Sequence, residues 1–284
     1  MIVVAGATGA LNGATVEHLL KRVPADRIGV SVRDAAKAQH FADRGIRVRQ
    51  GSYGDPAALR HSFADAEQVL LVSGNDPAAD LVGLHRTAIE AAVEAGAQRI
   101  LYTSQHAAVP GNPYPPSEIH IATEAILARS GVAWTALRNG AYGTLDQLLG
   151  PWQETGEIAR PEDGPVPYTD RDEVAEATSV ILAGDRSFDG PVTLTAPTAV
   201  TFDDFARIAS ELTGHTIKRI VLDDEQWVAD QIAIGVPEQA ARFMLTWYQA
   251  GRAGHFAEAD PLLSELLGRE ASSATDRLAA HIAA

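Results

Sequence analysis

The apolar residues of this chain come in short unbroken blocks, and segments of helical period separate them. Ile2 to Ala5 form the first block. Ile28 to Val32, Ile46 to Gln50, Val69 to Val72, Ile100 to Ser104 and Ala133 to Leu137 follow. Blocks without polar alternation read as strands covered on both faces. After the first block, Val16, Leu19, Leu20 and Val23 fall at i, i+3, i+4 and i+7, one face of a helix. Asp34 is placed to cap a helix containing Lys37 and Phe41, and Asp55-Pro56 to open one that runs to about Phe63. Leu81, Leu84, Ala88, Ala91 and Ala92 mark another helix, and a Pro/Gly-rich loop leads into a further one from about Ser117 to Arg129. Strand and helix alternate six times, which predicts an α/β fold with a doubly wound parallel sheet and right-handed crossovers. Ligands of such sheets sit at the carboxyl ends of the strands.

Beyond about residue 143 the pattern loosens. Gly150-Pro151 and Pro161 to Pro167 read as loops. A helix over 172–182, a strand over 192–195, a helix opened by Thr201 with Asp203-Asp204, and a strand over 217–222 are predicted. Short helices follow at about 224–234, 237–250, 259–267 and 274–283. The expected division is a first domain over 1–142, with 168–195 returning to it, and a smaller, mainly helical substrate domain over 143–284. Trp227, Phe243, Met244, Trp247, Tyr248 and Phe256 gather in that second part. They build a small helical core, a roof over a substrate pocket, or both.

Composition narrows the chemistry. The chain has 284 residues and a net charge of −14, with no basic stripe, so nucleic acid is not an expected partner. It has no cysteine, which excludes disulfides, thiolate metal sites and a cysteine nucleophile. His85, His106 and His120 lack metal-ligand spacing, no Gly-x-Ser-x-Gly is present, and no metal is expected. No apolar run has the length of a membrane span, and the N-terminus opens directly into a strand. A cytoplasmic location is the expectation.

The first block ends in Gly6-Ala-Thr-Gly9-Ala-Leu and runs straight into a helix. Glycines there permit a tight turn and let backbone N–H groups approach a pyrophosphate at the helix start. Gly6, Thr8, Gly9, Ala10 and Leu11 are therefore candidate cofactor contacts, although a purely structural turn fits the same residues. A third glycine is expected at position 12, where Asn12 stands; Gly13 comes one residue later. Arg33 follows the second strand, where an arginine suits a 2′-phosphate and a solvated surface role is the alternative. The remaining strand ends carry Ser52-Tyr53, Ser73-Gly74, Thr103-Ser104 and Asn139-Gly140-Ala141-Tyr142.

With these residues in order, the chain resembles the NmrA-like atypical short-chain dehydrogenases/reductases, and within them the type-2 NAD(P)H:quinone oxidoreductases. The resemblance rests on Gly6 to Gly9, Val32-Arg33, Gly51 to Asp55, Leu70 to Ser73, Tyr102 to Ser104, Glu118 to Glu124 (with His-x-x-Thr-Glu) and Leu137 to Tyr142 (with Leu-Arg-Asn-Gly). It implies a Rossmann domain, a smaller C-terminal substrate domain and NADPH as preferred cofactor, with NAD possible. It implies cofactor contacts at Ser73, Gly74, Thr103, Ser104, Asn139 and Gly140. Some members reduce quinones and others sense NADP without turnover. Two departures stand out. Asn12 replaces the glycine that usually lets helix and strand pack closely, and Ala141 stands where a larger aromatic is usual.

Ordinary short-chain dehydrogenases pair Tyr-x-x-x-Lys. Here the residues four after each tyrosine are Ala57, His106, Glu118, Asp146, Asp172 and Arg252, and the lysines are Lys21, Lys37 and Lys218 alone. His120 lies roughly at the lysine place, as a general acid, a nicotinamide-positioning group or a histidine bonded within the fold. Ser104, His120 and Tyr142 are the candidate catalytic residues. A ketone yields a strongly basic alkoxide that needs a proton donor, whereas a quinone yields a delocalised phenolate that does not. Three functions stay open: an NADPH-dependent quinone reductase, a non-catalytic NADP(H) sensor with a protein partner, and a tailoring enzyme of an aromatic polyketide-like quinone. A homodimer is possible.

Overall fold

The computed structural model describes residues 1–76 and 78–283. Strands β1 (Ile2–Ala5), β2 (Ile28–Val32), β3 (Arg47–Gln50), β4 (Gln68–Leu71), β5 (Arg99–Gln105) and β6 (Ala133–Asn139) alternate with helices α1 (Ala10–Leu19), α2 (Gln39–Ala42), α3 (Pro56–Phe63), α4 (Leu81–Glu94) and α5 (Pro116–Leu127). Then come α6 (Leu145–Leu149), α7 (Trp152–Thr155), β7 (Glu157–Pro161), α8 (Arg171–Ala183) and β8 (Gly190–Leu194). The chain ends with α9 (Phe202–Thr213), β9 (Lys218–Leu222), α10 (Asp224–Ala233), α11 (Glu238–Arg252), α12 (Leu262–Leu267) and α13 (Ala274–Ala283).

Seven strands form one parallel sheet in the order β3-β2-β1-β4-β5-β6-β8. This is the doubly wound Rossmann order, and the direction of winding reverses between β1 and β4. Every residue of β1 is buried. Ile2 and Val4 pack with Val16, Leu19 and Val174, while Val3 and Ala5 pack with Leu59, Phe63 and Ile89. Full burial of such a side chain stabilises by about 1.5–3 kcal/mol, so both helical layers are held by the same few strands. The seventh strand and α8 come from residues beyond 143, and α8 returns to pack on α1.

The aromatic residues of the second half form their own core. Trp152, Tyr168, Phe202, Phe205, Trp227, Tyr248 and Phe256 are all buried there. Phe243 and Met244, by contrast, are exposed. β7 and β9 make a separate two-stranded parallel sheet. β7 escapes the sequence pattern because Glu-Ile-Ala-Arg-Pro has one large apolar residue and a terminal proline, which suits only an edge strand. Among the described residues, no helix is long and apolar enough to cross a membrane.

Candidate functional site

The starts of the helices differ in how their N–H groups are satisfied. Asp55, Asp80 and Asp170 cap α3, α4 and α8 with their side chains, and Thr201 with Asp204 forms a capping box on α9. α1 has no such device. Its cap is Gly9, and its first turn contains no acidic residue. Its first backbone bond joins Gly13 N–H to the Gly9 carbonyl at 2.8 Å, so the N–H groups of Ala10, Leu11 and Asn12 have no carbonyl partner. Those donors, with the positive end of the helix, form an anion cradle. Thr8, Gly9 and Ala10 are exposed there, and Leu11 is half-buried.

Gly6 makes the turn possible. Its φ is +66°, and an added Cβ would stand 2.6 Å from Val72 Cγ1. The departure at Asn12 is resolved by its neighbour. A Cβ at Gly13 would lie 2.9 Å from the Ala7 carbonyl, so Gly13 provides the close helix–strand approach. Asn12 does not hold the helix away: buried, it donates from Nδ2 to the Ala5 carbonyl at 2.7 Å and clamps the end of β1. Arg33 lies exposed just past β2, as does Lys37 in the turn that Asp34 caps.

The β4 and β5 ends are tied together by side chains. Ser73 N–H donates to Thr103 Oγ1 at 2.8 Å, and Gly74 N–H donates to His85 Nε2 at 3.0 Å. The Tyr53 hydroxyl bridges the N–H and carbonyl of Val72, 3.0 Å from each, and burial raises its pKa. One face of α5 presents His120, Thr123 and Glu124, at i, i+3 and i+4, to β5. Ser104 Oγ donates to Glu124 Oε1 at 2.7 Å, and Arg138 grips the same carboxylate at 3.0 and 2.7 Å. The strand register sets Ser104 beside Arg138, which brings the trio together. The His-x-x-Thr-Glu and Leu-Arg-Asn-Gly elements thus meet in one buried ion pair.

Two histidines stand next to this trio. His85 Nδ1 lies 2.9 Å from Thr123 Oγ1, and Tyr102 Oη lies 2.9 Å from His120 Nδ1. Burial lowers the His85 pKa to about 4. Burial, then the proximity of His85 and Arg138, lowers that of His120 to about 3. Burial raises the Tyr102 pKa. Both imidazoles are therefore neutral at pH 7, and His120 has no imidazolium proton to give. Ser104 has its proton engaged with Glu124. Tyr142, half-buried past β6, has its pKa raised by burial.

Asn139 and Gly140 part company. Both amide atoms of Asn139 are sealed from solvent, and the Tyr142 hydroxyl lies beside them. Gly140 donates its N–H to the Leu194 carbonyl at 2.9 Å, and a Cβ there would stand 2.2 Å from Thr169 Oγ1. Its missing side chain serves packing, and its N–H is not free for a cofactor. His85, Tyr53, Glu124 and Arg138 were not singled out from sequence; the opposite charges in the two motifs were the available signal. His106 was missed as well. Its Nδ1 is buried without a partner, and Ala107 beside it holds a left-handed φ of +60°.

The bare α1 donors and the tight Gly6 turn fit a dinucleotide laid across the strand ends. The fold and this site define an NAD(P)H-binding Rossmann oxidoreductase. The model of an NAD(P)H-binding family matches residues 6–184, and the chain belongs to that NmrA-like family. It is 33% identical to quinone oxidoreductase 2 of Escherichia coli, across 94% of each chain. The structure of the NADPH-dependent quinone oxidoreductase from that organism, complexed with NADPH, superposes with a TM-score of 0.92 at 30% identity over 100% of both chains. The triphenylmethane reductase of Citrobacter, complexed with NADP(H), superposes at 0.89 with 31% identity over 98% of this chain and 99% of that one.

Proposed function

We propose that the protein uses NADPH to reduce a quinone or a similar conjugated aromatic carbonyl, with no Tyr-Lys acid pair. The observation that carries this reading is the protonation state of the crevice. His85 and His120 are neutral at pH 7, and Ser104 gives its proton to Glu124. Tyr102 has a raised pKa and no lysine beside it. Such a site positions and donates hydrogen bonds but delivers no proton. It suits an acceptor whose reduced form is weakly basic, and a quinone yields such a phenolate. Water then completes the proton balance. The names of the bacterial quinone reductase and dye reductase point to the same class of acceptor.

When bound, NADPH supplies a hydride. The chain's own part is binding and orientation. Ala10, Leu11 and Asn12 N–H would hold the pyrophosphate, with Gly6, Thr8 and Gly9 around it. The exposed guanidinium of Arg33, with Lys37 nearby, favours a 2′-phosphate and hence NADPH over NADH. Ser73 and Thr103 keep the middle of the crevice in shape. Tyr142, half-buried past β6, would flank a planar acceptor. The test is to mix purified protein, NADPH and a panel of quinones and follow NADPH absorbance. Reduction of several quinones is the expected result. NADPH binding without turnover on any acceptor would overturn this reading in favour of a sensor.

A further inference from the structure

The hydrogen bonds behind the crevice fix where the protons of its histidines lie. Gly74 N–H can only donate, so His85 Nε2, 3.0 Å away, is the bare nitrogen of that ring. The proton of the neutral His85 ring is then on Nδ1, and it goes to Thr123 Oγ1 at 2.9 Å. Thr123 passes its own proton to the Ile119 carbonyl at 2.8 Å. Tyr102 Oη is 3.5 Å from His85 Nδ1, but that protonated nitrogen cannot accept. Thr123, also beside the Tyr102 hydroxyl, already accepts from His85 and donates to Ile119, so the Tyr102 proton points to the other ring within reach, His120 Nδ1 at 2.9 Å. That leaves the His120 proton on Nε2, which makes no hydrogen bond to the described residues.

We propose that His85 and Tyr102 are positioning residues that lock His120 as an Nε2–H donor, so that at this point the protein offers a ligand oxygen a hydrogen-bond donor and no acceptor. The lock starts at a backbone amide of the β4 loop and passes through three side chains. Such a donor bonds most strongly to an oxygen that carries negative charge, as a phenolate does. The choice of ligand rests on the quinone-reductase reading; the tautomer does not. A fixed neutral donor aligns and polarises a carbonyl oxygen without the cost of reorienting at each turnover.

Long-range proton–nitrogen NMR on protein with labelled histidine reads the tautomer directly, without turnover. The wild type is expected to carry the His120 proton on Nε2, and Tyr102→Phe to lose that single form for a mixture. His85→Gln, which can still accept from Gly74 N–H, is expected to keep the cofactor affinity and loosen the tautomer. A wild-type proton on Nδ1 overturns the proposal even if neither variant folds. An unchanged tautomer in a folded Tyr102→Phe overturns it too. For the ligand, 4-nitrophenolate and its methyl ether are titrated into the NADP-bound protein. The phenolate is expected to bind more tightly, and Tyr102→Phe to narrow the gap about tenfold, the worth of one hydrogen bond to a charged group. Equal binding of the two probes overturns the ligand assignment. The Nε2 tautomer in a protein that reduces no quinone would sink the reductase reading and leave the lock standing.

Discussion

At the β1–α1 end of the crevice the chain leaves backbone donors bare, while at the β5–α5 end it pairs nearly every side chain with another. Gly6, Gly9, Ala10 and Leu11 are exposed or half-exposed, and the helix start is uncapped. Ser104, Glu124, Thr123, His85 and His120 are all buried, and each is bonded to another residue. The first end is built to take a charged group from solvent. The second holds its side chains, the Glu124–Arg138 ion pair among them, in one arrangement. A phosphate is recognised by whatever leaves donors open, whereas an aromatic acceptor must be aligned by groups that cannot move.

The largest effect is expected where the open end is closed. Gly6→Val would force a branched side chain into a φ of +66° and against Val72. NADPH affinity is expected to fall about a thousandfold, from clash and backbone strain together. Calorimetric titration measures it, and a loss under tenfold would mean that the cradle is not where the pyrophosphate lies. Glu124→Ala attacks the closed end. It strips Arg138 and Ser104 of their shared partner, and a buried pair broken on one side costs about 3 kcal/mol. Urea unfolding reads this change, while NADPH binding by the folded fraction is expected to stay close to wild type. A large loss of affinity with little loss of stability would reverse the roles given to the two ends.

Arg33→Ala sharpens the open end further. NADPH binding is expected to weaken about thirtyfold and NADH binding hardly at all, because only one of them carries the 2′-phosphate. Equal losses would show that Arg33 does not read that group.

The same contrast explains what could be read from the sequence. The open end works through backbone, so its signal is local: glycines at fixed offsets, a strand before and a helix after. The strand–helix alternation, the helix starts at Asp55 and Thr201, and the tight turn at Gly6 were legible for that reason. Asn12 misled because its clamp on Ala5 and the relief at Gly13 depend on three-dimensional packing. The closed end works through side chains from β5, β6, α4 and α5. His85, Tyr102, His120 and Glu124 mean nothing together until the sheet register and the α5 face bring them into contact. Gly140 looked like a cofactor residue for the same reason: its contact with Thr169 crosses from one half of the chain to the other.

The smallest effect expected concerns acid, and it separates the two ends without touching activity. Burial lowers the pKa of His85 from the usual 6.5 to about 4. Below its unfolded value the unfolded chain takes up a proton that the folded chain refuses. The stabilising contribution of the neutral ring is thus fully present above pH 6.5 and declines as pH falls toward 4. Between neutral pH and about pH 5.5 the loss amounts to about 1 kcal/mol. His120, pushed lower still, adds a loss of the same sign. His85→Gln removes one of the two titrating rings, so its stability should fall less steeply over that window, by about 1 kcal/mol. Urea midpoints at a series of pH values measure the slope. A variant as acid-sensitive as the wild type would mean that His85 is already solvated, and the closed end would then be open to water like the other.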